Sequence, residues 1–166
     1  MLLAIQCIVL CGLFTLIILP SLYKNPIGQI MSYPPKIRKR VESLPQYANT
    51  IQATKQKHLA AKIASVFIIA AVLALVAYLS GAQTFWSAFL HVFILFFSVN
   101  LYDMLVLDIG IFCHSKKLMI PGTEDMTAEY KSPLHHIWGA GVGTLLGVGV
   151  GLLSGGFVSL YVLLAG

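Results

Sequence analysis

The stretch "IWGAGVGTLLGVGVGLLSGGFVSLYVLLA", residues 137–165, decides the fold. It carries no charged side chain, and as a helix rising about 1.5 Å per residue it is long enough to cross about 30 Å of hydrocarbon. Gly139, Gly143, Gly147, Gly151 and Gly155 recur in it every four residues. In water each glycine would cost a helix about 1 kcal/mol relative to alanine. In lipid no hydrophobic drive joins helices, and small residues four apart let two backbones come close enough for dispersion to do so. Each four-residue step drifts by about 40°, so the ridge winds around its helix and suits a right-handed crossing. Three uses are open to it: packing within the chain, a seam between copies, or a groove for an ion or ligand.

Working outward, the chain of 166 residues is 58% hydrophobic and 10% charged, with a mean hydropathy of +0.85. Such a composition excludes an ordinary soluble domain. Four apolar runs of membrane-crossing length follow one another at about 2–23, 61–80, 85–107 and 137–165. They predict an all-α integral membrane bundle of four helices in one transmembrane domain. A basic loop at 24–60 and a second loop at 114–136 join them. The first run lacks a basic n-region and a small-x-small cleavage site, so it reads as a retained span. Cys7, Cys11 and Cys113 lie in or beside spans and read as small buried hydrophobes.

All eleven Lys and Arg residues fall in or beside the two long loops. Lys24, Lys36, Arg38, Lys39, Arg40, Lys55, Lys57 and Lys62 belong to the first, and Lys116, Lys117 and Lys131 to the second. The turn "SGAQT" at 80–84 has none. The positive-inside rule therefore puts both loops in the cytoplasm and both termini outside, in a bacterial cytoplasmic membrane. The net charge of +5 belongs to one membrane face, which makes lipid rather than nucleic acid its partner. Lys36, Arg38, Lys39 and Arg40 are the lipid head-group candidates, each worth about 1 kcal/mol near an anionic leaflet; the alternative is that they only fix topology. In the first loop, "NPIGQIMSYPP" reads as irregular. Ser43 and Gln46 fit a capping box with Pro45 in the first turn, which starts a helix that runs on into the second span.

The third span, "FWSAFLHVFILFFSVNLYDMLVLDIGIFCH", is too long, so it either tilts or sends its last two turns along the interface. Asn100, Asp103 and Asp108 sit near its end. Ionisable residues in spans are costly and by default functional candidates. At about 100° per residue Asn100, Asp103 and His114 share a face, whereas Asp108 points about 140° away from Asp103. The following loop holds Glu124 and ends at His135 and His136, just before the last span, whose start Ser132 and Pro133 mark as N-cap and first helical residue. Five of the six acids and three of the five histidines thus fall between 103 and 136. Asn100, Asp103, Asp108, His114, Glu124, His135 and His136 are candidates for a ligand or proton site. Carboxylate and imidazole together also admit a divalent metal as cofactor, although no established metal spacing is present. The structural alternative pairs Asp103 and Asp108 with loop cations. His91, remote from the group, reads as an interhelical hydrogen-bond partner.

The segments "NLYDMLVLDIGIFC" and "IPGTEDM" and the histidine pair, about residues 100–136, resemble a pattern in a family of small, functionally uncharacterised multi-pass bacterial membrane proteins. Where those proteins carry Trp after the second Asp, this chain has Ile109. The resemblance implies the four-span architecture and assigns no activity or site residue. Two function classes follow from the residues. One is a ligand-binding, transport-related or accessory membrane protein, alone, as a homo-oligomer or in a larger membrane complex. The other is a membrane-embedded metal-dependent or acid-base enzyme acting on a lipid-like substrate.

Overall fold

A computed structural model describes residues 1–165, apart from the side chains of 52–62; Lys55, Lys57 and Lys62 of the basic loop therefore lie outside the described residues. The chain is an all-α bundle. Its helices are α1 (Leu2–Lys24), α2 (Pro35–Glu42), α3 (Pro45–Leu79), α4 (Phe85–Tyr102), α5 (Thr127–Lys131) and α6 (Leu134–Ala165). Leu2–Lys24, Phe85–His114 and Leu134–Ala165 are long and apolar enough to cross a membrane, and Ile63–Leu79 is a shorter apolar helix. Exposed Leu, Ile and Val cover the outside, as a lipid-facing surface requires: Leu16, Ile68, Leu79, Leu145 and Leu163 are examples.

α4 is the hub. It packs against α6, α1 and α3, and α6 also packs against α3, while α1 and α6 barely touch. α4 and α6 run antiparallel with the glycines at their contact. A Cβ on Gly147 would come within 2.8 Å of Phe96, and one on Gly155 within 2.9 Å of the Phe85 carbonyl. At Gly151 it would meet Phe89, and at Gly143 it would collide with Asn100. Gly139 differs, because a Cβ there meets nothing within 4 Å.

Polar side chains tie the spans where lipid offers them no water. Gln6 on α1 bonds both His91 on α4 (2.9 Å) and Ser80 (2.8 Å). Thr15 bonds Tyr102 (2.8 Å), and Ser154 on α6 donates to the Ala70 carbonyl on α3 (2.9 Å). His91 is thus the interhelical partner its isolation suggested.

At one end the two long loops fold on each other around a separate core of Ile30, Tyr33, Ile37, Val41, Phe112 and Tyr130. The Tyr33 ring meets Phe112 edge-on at 4.9 Å, and its hydroxyl donates to the Leu118 carbonyl (3.0 Å). Tyr130 accepts from the Ile120 N–H (3.0 Å) and bonds Thr123 (2.8 Å). The stretch read as irregular includes a 3-10 turn at Ile30–Ser32, and the basic run that follows is α2, whose Ile37 and Val41 face this core. The capping box at Ser43 does not form. Ser43 Oγ instead bonds the Arg40 carbonyl at the end of α2, and Leu44 occupies the N-cap of α3. At α6 the Pro133 carbonyl accepts the first-turn bond from Ile137, so the helix starts one residue later than Ser132 as N-cap requires.

Candidate functional site

Beyond Tyr102 the helix that begins as α4 changes geometry. Asp103–Ile111 is a nine-residue π-helix, and a 3-10 turn at Phe112–His114 ends it. A π-helix bonds residue i to i+5 and so places residues five apart nearly above one another. Asp103 and Asp108 therefore face the same way, not about 140° apart as α-helical geometry requires. π-helical turns are rare, and those inserted in α-helices occur frequently at functional sites.

Both carboxylates line a cavity of about 360 Å³. α1 contributes Phe14, Ile18 and Leu22 as one apolar wall. His135, His136, Gly139 and Ala140 of α6 and Gln29, Met31 and Ser32 of the first loop also line it. The strongest link across the cavity is between Asp108 and His136, whose Oδ2 and Nδ1 atoms are 3.0 Å apart. A carboxylate accepts, so the imidazole donates from Nδ1. His136 is 4% exposed, and its Nε2 has no hydrogen-bond partner. Phe112 holds the ring edge-on at 5.0 Å. Asp103 has no hydrogen bond or ion pair among the described residues. A buried polar atom without a partner costs about 1–3 kcal/mol, a cost that Nε2 carries inside the wall, whereas the unpaired Asp103 lines the cavity itself.

The remaining candidates separate. Asn100 is a clamp at the cavity's edge: its amide nitrogen donates to the Ala140 carbonyl (2.9 Å) and to Thr144 (3.2 Å), tying α4 to α6. His135 lines the cavity, its ring 5.4 Å from that of His136. His114 does not join Asp103. It bonds the Ile109 carbonyl (2.9 Å) and is exposed, because the helix does not continue regularly to it. Glu124 is also outside the cavity. It caps the Pro121-Gly122 turn, and the Gly122 N–H bound to it holds its carboxyl below the usual range.

A divalent metal is not supported, which corrects that expectation. Among the described residues no three His, Cys, Asp or Glu side chains are placed to hold one. The physical cause is dispersal: Asp108 is committed to His136 Nδ1, the neighbouring histidine rings diverge by 65°, and His114 and Glu124 lie elsewhere. Among the described residues no loop cation pairs with Asp103 or Asp108 either. Lys36 pairs with Glu129 (2.6 Å), and Arg40 approaches Asp125 (4.0 Å) and the Gly122 carbonyl (3.4 Å).

The sequence reading missed the α1 wall and the loop residues Gln29, Met31 and Ser32. Their sequence context carries no sign of this role, since only the tertiary fold brings them to the π-helix. Comparison with known proteins finds no matching family model, no matching curated protein and no matching solved structure.

Proposed function

We propose that this chain is a small four-span protein of the bacterial cytoplasmic membrane that binds a ligand in the cavity beside the π-helix, in a transport-related or accessory role. The observation that carries this reading is Asp103, which has no hydrogen bond or ion pair among the described residues and lines a cavity that the Asp108–His136 pair also lines. The one-sided Lys and Arg residues support placing the loops and the cavity's polar end at the cytoplasmic face, with both termini outside. The Trp residues support the same depth. Trp86 and Trp138, 66% and 76% exposed, stand at opposite ends of the antiparallel α4 and α6. Residues 138 to 155 of α6 span about 26 Å, close to the hydrocarbon thickness, so the two rings suit the two interfaces.

Lys39 remains an exposed head-group contact in this arrangement, and Arg38 is half-buried beside His135. Lipid is the proposed partner, and nucleic acid is not. A second reading, an acid-base enzyme acting on a lipid-like substrate, is favoured by one feature. Asp108 orients His136 as a carboxylate orients a catalytic base. The two readings part on turnover: a binding protein returns its ligand unchanged after prolonged incubation, and an enzyme does not. Ligand-induced stabilisation, measured by thermal unfolding of the detergent-solubilised chain against a panel of amphiphiles, tests the cavity itself. At least one amphiphile should raise the melting temperature of the native chain and not that of Asp103→Asn. If no compound does so, the proposal fails.

A further inference from the structure

We infer that the cavity takes an ammonium-bearing amphiphile that enters sideways from the bilayer, between α1 and α6. The inference rests on the ligand-binding reading above and names the class of ligand and its route. Three independent features carry it.

The first is the chemistry of the wall. Two lining carboxylates are free to engage a ligand, that of Asp103 and the second oxygen of Asp108, with the Ser32 hydroxyl and His135 as further polar groups of the wall. The amide nitrogens of Asn100 and Gln29 are already committed, to Ala140 and Thr144 and to Ser21. Among the described residues no Lys or Arg lines the cavity. Two carboxylates suit a cationic head with several N–H donors and repel an anion.

The second is the opening. α1 and α6 each pack on α4 and on the π-helical segment yet barely touch one another, so the cavity between them lacks a helical wall on that side. Gly139 is exposed at this edge with empty space where a side chain would be. It follows Trp138 directly, which puts the opening at the depth of lipid head groups. Gln29, Met31 and Ser32 of the first loop complete the lining, and Ile30 and Tyr33, their neighbours in sequence, are fully buried.

The third is the mixed lining. Beside the carboxylates and His136, Phe14, Ile18, Leu22 and Met104 give the cavity apolar surface. A head-and-tail molecule uses both kinds of group, and a small soluble cation does not.

The test uses the full chain in phosphatidylglycerol vesicles with dodecylammonium carrying a photoactivatable group on its tail. Labelled residues are mapped by mass spectrometry, with labelling of the lipid-facing surface of α3 as the internal background. Label should concentrate on α1 and α6 beside the opening. Excess dodecylammonium should displace it, and equal concentrations of ethylammonium or dodecyl sulfate should not. Asp103→Asn, which removes the charge, and Gly139→Leu, which fills the opening, should each lower cavity labelling about tenfold while α3 labelling stays constant. Ile18→Phe narrows the opening from α1 and serves if Gly139→Leu does not accumulate.

Ethylammonium competing as well as dodecylammonium would overturn the lipid route and leave a ligand-binding cavity. Dodecyl sulfate competing better would overturn the cationic class. Cavity labelling unchanged in both Asp103→Asn and Gly139→Leu would overturn the inference as a whole. If none of the three compounds protects the cavity and no other amphiphile stabilises the chain, the ligand-binding reading itself falls.

Discussion

Asp103 and Asp108 are five residues apart in sequence and face one cavity, because the backbone between them is a π-helix. The same two positions on an α-helix would diverge, one carboxylate toward α6 and the other away from it. The geometry is directly testable. In a chain lacking its native cysteines, a short bifunctional thiol reagent should join Asp103→Cys to Asp108→Cys within one molecule. It should not join Leu105→Cys to Asp108→Cys with comparable yield. Equal yields would mean that the segment has relaxed to an ordinary helix.

The two carboxylates should also respond differently to removal. Asp108 holds a buried imidazole, so Asp108→Ala leaves Nδ1 of His136 unpaired and should cost about 1–3 kcal/mol of stability. Asp103 has no partner to lose, and Asp103→Asn should stay within about 0.5 kcal/mol of the native chain. Thermal unfolding in one detergent measures both. A large loss in Asp103→Asn would reveal a structural partner for it.

Glycines of α6 divide in the same way. Gly147→Leu drives a side chain into Phe96 and should destabilise by about 1–3 kcal/mol. Gly149, where a Cβ meets nothing within 4 Å, is the control; Gly149→Leu should be neutral or stabilising by up to about 1 kcal/mol, since glycine is the poorer helix former. Equal destabilisation by both would point to a second surface, such as another copy of the chain, over Gly149.

Tyr33 links the loop core to pH. Burial, with Tyr130 adding to it, raises its phenol above the ordinary tyrosine value. The unfolded chain therefore loses its proton first as pH rises. The stability Tyr33 contributes is complete below pH about 10 and declines as pH climbs from there toward the folded value. Tyr33→Phe should remove that part of the alkaline decline and, by orphaning the Leu118 carbonyl, cost about 1 kcal/mol at neutral pH. A decline identical in both chains would assign it to other groups.

Much of this architecture is legible in the residues. Apolar runs mark the helices, and the glycines at every fourth position mark where α6 meets α4, because in lipid small residues are what close contact requires. Asp103, Asp108 and His136 stand out as ionisable groups in apolar surroundings. Their mutual arrangement does not, since a period of 3.6 residues assigns Asp108 to the wrong side and nothing local in "DMLVLDIGI" announces a π-helix. Ser43 and Glu124 mislead for a related reason: each has a strong local partner, the Arg40 carbonyl or the Gly122 N–H, that takes it out of the role its type suggests. The α1 wall is invisible because Phe14 and Ile18 look like any other lipid-facing residues until the fold sets them beside the π-helix.

Nitrogen-15 NMR of the chain labelled at histidine, with His136→Gln identifying the His136 resonances, tests the central claim most directly. Nδ1 of His136 should carry the proton shared with Asp108. Adding dodecylammonium should move the His136 resonances, as the ammonium shares the Asp108 carboxylate that Nδ1 bonds, while the His91 resonances stay in place. A His136 whose resonances are unmoved by dodecylammonium and by every other amphiphile would contradict the account, for no ligand would then reach the Asp108–His136 pair that lines the cavity.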